Sequence, residues 1–211
     1  MDFIEAILNL IFPPKCGICH KIGEGYICQK CLYELEKNIY INTNKNIFYL
    51  FNYRDIIRNK IIDFKFNDKP YLYHMFCEIF VKNKFGCDFV KNYDIIMPVP
   101  MHKIKKMKRG YNQSELFAKG ISKMLEIPIS VDSLIKQKNT LMQSSLRKDE
   151  RAQNVQNAYK VINVEKIENK KILLVDDIYT TGATFDACAA VLKDAGVSQV
   201  YGISLCVGDG F

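Results

Sequence analysis

The chain has 211 residues, 48% of them hydrophobic, which suffices for one α/β domain, a small appendage and a sizeable core. Lys and Arg number 30 against 23 Asp and Glu, a net charge of +7 that suits polyphosphates or nucleic acid but also occurs in ordinary soluble proteins. A globular, soluble protein is expected, which sets disordered and membrane-embedded classes aside.

From the start of the chain, Phe3 to Phe12 is apolar, yet it contains Glu5, lacks a basic start and a small-residue cleavage site, and is too short to span a bilayer. A cytoplasmic protein without an integral membrane segment is therefore expected. Phe3, Ile4, Ile7, Leu8 and Ile11 fall at helical spacing and predict an amphipathic helix packed on the protein itself. Next come Cys16-x-x-Cys19 and Cys28-x-x-Cys31, with eight residues between the pairs. Each pair brings two thiolates to one point, with Gly17, Gly23 and Gly25 supplying tight turns, so the four predict a closed, structural zinc site. Disulfides are disfavoured in a reducing compartment. The spacing between the pairs is shorter than in common zinc ribbons and leaves the topology open; His20 adjoins the site, but four cysteines already satisfy the metal. Cys77, Cys87, Cys188 and Cys206 lack paired spacing and read as buried thiols. Residues 1–45 are thus expected to form a helix and zinc module, and 46–211 the main domain.

In that domain Phe48 to Tyr53 reads as a strand, and Asp55 to Lys65 and Tyr71 to Lys82 as helices. Tyr93 to Met97 predicts a strand that leaves into a rigid loop, Pro98-Val99-Pro100-Met101. A basic run follows, with His102, Lys103, Lys105, Lys106, Lys108 and Arg109, then a helix from about Asn112 to Leu125. The basic run, with Lys105, Lys106, Lys108 and Arg109, suits a polyphosphate or nucleic acid, or it is a solvated lysine face. Ile127 to Lys136 is a further strand candidate, Gln137 to Gln156 a long polar stretch, Ala158 to Val164 a return to β character, and Val197 to Val207 another buried strand. Polar stretches of such length are usually functional, although Arg147 to Asn157 also reads as an exposed, charge-laced helix.

Residues 172–184, Ile-Leu-Leu-Val-Asp-Asp-Ile-Tyr-Thr-Thr-Gly-Ala-Thr, are the most informative. Ile172 to Val175 is short and apolar without alternation, as a strand buried on both faces of a parallel sheet should be. Ligands of such sheets bind outside the strands' carboxyl ends, where Asp176 and Asp177 are expected to stand. Two carboxylates can accept hydrogen bonds from vicinal ribose hydroxyls, directly or through a divalent cation. Thr180, Thr181 and Thr184 offer hydroxyls, Gly182 lets the backbone curl, and a helix from Phe185 to Ala195, stopped by Gly196, aims free N–H groups at a phosphate. Neither a P-loop nor a Gly-x-Gly-x-x-Gly dinucleotide turn is present.

This segment resembles the signature by which type I phosphoribosyltransferases bind 5-phosphoribosyl 1-pyrophosphate (PRPP). Together with the apolar lead ending Leu10-Ile11-Phe12-Pro13-Pro14, the four cysteines, Pro98-Val99-Pro100-Met101-His102, Arg109-Gly110-Tyr111-Asn112-Gln113, Thr140, Gln143, Leu146, Arg151 and Asn154, the chain resembles the ComF family of competence proteins. The resemblance implies an open, mostly parallel α/β sheet with helices on both faces, plus the zinc module. It implies PRPP bound with magnesium, Asp176 and Asp177 on ribose or the metal, Thr180, Thr181, Gly182, Ala183 and Thr184 on the 5-phosphate, and Pro98, Val99, Pro100 and Met101 with Arg109 near the pyrophosphate. A loop closing over the site would carry Gln143, Arg147, Lys148 and Arg151, making Arg109, Arg147 and Arg151 the catalytic candidates. The family role is handling of single-stranded DNA during natural transformation, beside a helicase-like competence protein. Thr180 stands where purine-salvage members carry an acidic base, and a hydroxyl cannot act so near neutral pH, which disfavours purine salvage. The competing reading is an active phosphoribosyltransferase with an unidentified nucleobase or amine acceptor, unrelated to DNA uptake.

Overall fold

A computed structural model of the chain describes residues 10–36, 39–42, 47–138 and 157–208. Most of the predicted lead helix and all of the polar stretch from 139 to 156, with Thr140, Gln143, Leu146, Arg147, Lys148, Arg151 and Asn154, lie outside the described residues.

In chain order the elements are α1 (Gln29–Glu36), β1 (Ile39–Asn42), β2 (Ile47–Asn52), α2 (Asp55–Phe66), α3 (Leu72–Lys82), α4 (Lys84–Val90), β3 (Ile95–Pro98), α5 (Lys103–Arg109), α6 (Gln113–Leu125), β4 (Leu134–Lys136), β5 (Tyr159–Val161), β6 (Lys171–Tyr179), α7 (Ala183–Asp194) and β7 (Gln199–Val207). Among the described residues, five strands form one sheet in the order β1-β2-β7-β6-β3, parallel except for β1 against β2, and β4 pairs antiparallel with β5 apart from it.

Strand residues alternate between faces, and β6 buries both. Leu173 and Val175 pack with Phe48, Leu50, Phe64, Phe76, Phe80 and Phe117, which brings α2, α3 and α6 to one face. Ile172 and Leu174 pack with Met97, Cys188 and Leu192, which brings α7 to the other. In α3 the buried Leu72, Met75, Phe76, Ile79 and Phe80 recur at the three-and-four spacing of an apolar helix stripe.

The cysteine segment joins the first of these cores: Cys16, Ile27, Cys28 and Leu35 are buried among the residues of α2 and α3. The Tyr26 N–H donates to Glu78 Oε2 at 2.7 Å, and the Tyr26 ring stacks on His74 with centroids 4.3 Å apart. Gly23 and Gly25 turn with positive φ as expected, but Gly17 has another role: a Cβ there would meet Met75 Sδ at 2.6 Å. It is a contact point on α3, where a side chain would have to displace Met75 and Leu72.

The structure departs from the sequence reading at three points. Of Ile127 to Lys136 only β4 is strand; Pro128 and Ile129 touch β3 through a single parallel bridge at Ile96, and Ser130 then bonds the Ser133 hydroxyl at 2.7 Å, turning the chain away. The basic run, to which no element was assigned, is helix α5, capped by His102, whose Nδ1 accepts from the Ile104 N–H, and ended by Gly110 at φ 85°. The acids do not follow the end of β6: it stays paired with β7 as far as Tyr179, opposite Val207.

Candidate functional site

What ends at the acids is the other ladder. β3 pairs with β6 only from Ile95–Ile172 to Pro98–Val175, closed by the Val99 N–H donating to the Val175 carbonyl at 2.8 Å. The rung that parallel geometry places next would run from the Asp177 N–H to the Val99 carbonyl. Instead that N–H donates to Asp176 Oδ1 at 2.8 Å, and the Val99 carbonyl accepts from Asn112 Nδ2 at 3.0 Å. β6 thus keeps one neighbour and loses the other, and a cleft of about 460 Å³ opens beside its acids.

Alternation sends the two carboxylates to opposite faces. Asp177, on the face of α2, accepts from Lys65 Nζ at 2.9 Å. Asp176 starts toward the α7 side, yet it accepts from Ser114 Oγ in the first turn of α6 at 2.9 Å. Burial, then the neighbouring Asp177 charge, pushes the Asp176 carboxyl up to about 7, against the opposing pull of Lys65 and its own hydrogen bonds.

Beyond β6, Thr180, Thr181 and Gly182, with Thr184 in the first turn of α7, line the cleft. Gly182 sits at φ 85°, and a Cβ there would meet Tyr179 Oη at 2.5 Å. The turn therefore requires glycine. Ala183, expected among the ligand contacts, is the first residue of α7 and does not line the cleft; its contribution is a backbone N–H, 3.5 Å from Thr181 Oγ1.

Opposite stand Val99, Pro100 and Met101, whereas Pro98 is buried as the last residue of β3 and does not line the cleft. α5 divides the basic run by helical periodicity: Lys105 and Arg109 face the cleft, Lys106 pairs with Glu115 at 2.6 Å, and Lys108 is exposed. The four expected DNA contacts thus do not share one face.

Sequence reasoning missed Lys65, Ser114, Lys136 and Tyr159, all of which line the cleft. Lys136 and Tyr159 are cross-strand partners in the β4–β5 ladder, with the ammonium 5.2 Å from the ring centroid. Burial, then Lys105, lowers the Lys136 pKa, and burial raises that of Tyr159. Lys136 carried a legible signal, a cation ending a short apolar strand just before a long polar stretch. Lys65 carried none beyond its place near a helix end.

Away from the cleft, Cys16, Cys19, Cys28 and Cys31 bring their sulfurs within 4.8 Å of one another, with Cys19 and Cys28 Sγ 3.6 Å apart. Four thiolates about 2.3 Å from a tetrahedral zinc would stand about 3.8 Å apart, so the cluster fits such an ion. Burial of Cys16 opposes its ionisation, but the N–H groups of Cys19, Cys28 and Ile18 outweigh it and bring the thiol down to about 6. The remaining cysteines are free thiols, Cys77, Cys188 and Cys206 buried and Cys87 partly so.

The cleft thus lies between parted parallel strands, with the two acids and a threonine-glycine turn that opens a helix along its lining. Residues 112–208 match the phosphoribosyl transferase domain family. The chain resembles the ComF competence proteins: it is 33% identical to Competence protein F of Haemophilus influenzae over 53% of this chain and 50% of that one, and 26% identical to Competence protein ComFC of Bacillus subtilis over 87% and 72%. The DNA utilization protein YhgH of Escherichia coli K12 is 28% identical over 54% and 49%. The chain thus spans about half the length of two of these relatives. Among solved structures, adenine phosphoribosyltransferase of Trypanosoma brucei aligns with a TM-score of 0.46 and 13% identity, covering 82% of this chain and 87% of that one. No helix among the described residues is long and apolar enough to cross a membrane.

Proposed function

We propose that the protein is a ComF-like competence protein that binds PRPP in this cleft and acts in the cytoplasm on single-stranded DNA during natural transformation, beside a helicase-like partner. One observation carries the ligand: the Thr180–Thr184 turn and the two acids face one cleft whose opposite wall is Val99–Met101 backed by Lys105 and Arg109. The names of the relatives support the DNA role.

In this reading the turn's hydroxyls and the first N–H groups of α7 hold the 5-phosphate, Asp176 and Asp177 hold the ribose hydroxyls, and the Val99–Met101 backbone with Lys105, Arg109 and Lys136 holds the pyrophosphate. The carboxylates offer oxygen ligands that suit magnesium, which when bound would neutralise charge on the leaving pyrophosphate. Loss of pyrophosphate from ribose C1 would leave an oxocarbenium-like centre, and the cleft cations would stabilise the departing anion. Arg147 and Arg151 remain candidates for closing over it. Zinc held by Cys16, Cys19, Cys28 and Cys31 is structural. The boundary proposed near residue 45 then separates two tasks within one continuous core.

Calorimetric titration of the full chain with PRPP and magnesium tests the reading. Saturable binding that Asp177→Ala abolishes is expected; absence of binding overturns it. Pyrophosphate release with candidate acceptors then distinguishes turnover from binding alone.

A further inference from the structure

Arg109, Asn112, Gln113 and Ser114 line the cleft, and two side chains of this segment, Tyr111 and Gln113, donate to one carbonyl of α2. Tyr111 Oη donates to the Phe64 carbonyl at 2.6 Å, and Gln113 Nε2 donates to the same oxygen at 3.2 Å. Phe64 lies in the last turn of α2, where carbonyls have no donor from within the helix. The Tyr111 ring also stacks on that of Phe64, centroids 6.0 Å apart and planes 27° off parallel. Two residues on, the Arg109 guanidinium lies 5.0 Å from the Phe66 ring centroid while its Nη1 donates to Gln113 Oε1 at 2.7 Å. Phe64 and Phe66 are thus pinned from outside the helix, and the residue between them is Lys65, whose ammonium meets Asp177 in the cleft.

We propose that Tyr111 and Gln113 are positioning residues, a clasp on the Phe64 carbonyl that holds Lys65 against Asp177. Tyr111 does not line the cleft, and Gln113, which does, directs its amide N–H to the Phe64 carbonyl; both act through the geometry of the α2 terminus. The ion pair joins elements distant in sequence, and a frayed α2 end would swing Lys65 away and leave Asp177 without its cation. The functional consequence rests on the reading that this cleft takes PRPP.

The test uses the full zinc-bound chain with two readouts. Tyr111→Phe keeps the ring stacked on Phe64 and removes one donor; Tyr111→Phe with Gln113→Met removes both. Brief acetylation followed by mass spectrometry should show Lys65 labelled several-fold more in the variants, with Lys119 as an unchanged reference. PRPP with magnesium should bind about fivefold more weakly to Tyr111→Phe, as one lost hydrogen bond implies. In a Lys65→Met background the same substitution should cause no further loss, because coupled residues are not additive. Unchanged Lys65 labelling, or an equal loss of affinity in both backgrounds, overturns the proposal. Should the unaltered chain fail to bind PRPP, the site reading falls, while labelling still decides whether the clasp exists.

Discussion

Lys65 Nζ stands 2.9 Å from Asp177 Oδ1, tying the last turn of α2 to strand β6. With side chains only 18% and 12% exposed, the pair is shielded enough for its loss to matter. Lys65→Met leaves the carboxylate beside Asp176 without a cation and should cost about 2 kcal/mol in denaturant unfolding. Adding Asp177→Asn should restore part of that loss. No change in midpoint for the single variant would show the pair to be energetically idle.

Asp176 sets a pH dependence. Its folded pKa of about 7 lies above the ordinary value near 3.9, so the native state holds the proton more tightly than the unfolded chain does. The stabilisation is therefore complete below about pH 4 and is lost as pH rises toward about 7. Thermal melts without PRPP or magnesium should show this decline across the window, and Asp176→Asn should flatten it. An identical profile in the variant would refute the assignment.

Zinc removal should reach beyond the cysteines. Cys16 and Cys28 share a core with Met75, Phe76 and Phe80, so a chelator should raise amide exchange in α3 as well as in residues 10–36. Exchange confined to the first segment would mean that the metal module and α3 open independently.

Gly182→Ala should weaken PRPP binding without unfolding the chain. The substitution places a Cβ at φ 85° against Tyr179 Oη, a strain of about 1–2 kcal/mol at the phosphate turn. Calorimetry should show about tenfold weaker binding; unaltered affinity would place the phosphate elsewhere.

The lysines of α5 separate two ligands. Neutralising Lys105 or Arg109 should weaken PRPP, whereas neutralising Lys106 or Lys108 should not, because only the first two face the cleft. If the outward lysines carry single-stranded DNA, Lys108→Gln should weaken that binding and reduce its salt slope by about 1. Unchanged DNA affinity and slope would remove Lys108 from any DNA surface.

Strands β2, β3, β6 and β7 were legible as apolar runs, whereas β1, which joins the same sheet from the segment assigned to the zinc module, was not. The candidate site was legible where ligand-facing residues are contiguous, as in Asp176 to Thr184. It was hidden where they are not: Lys65, Ser114, Lys136 and Tyr159 arrive from four other elements, and only packing brings them to β6. The acids were expected after the strand because an apolar run stops at Val175, but backbone pairing with β7 continues regardless of side-chain polarity. Helix α5 was missed because its lysines were read only as charge, while His102 and Gly110 cap it at both ends.

Asn112 gives the motif around it a mechanical meaning. By occupying the Val99 carbonyl, its amide acts as a wedge between β3 and β6, and Asp176 draws off the donor that would have zipped them further. The mouth of the cleft is thus kept ajar by rivalry for two hydrogen-bonding groups. A leucine at position 112 would free that carbonyl, and the two strands could then knit together over the place where the sugar should enter.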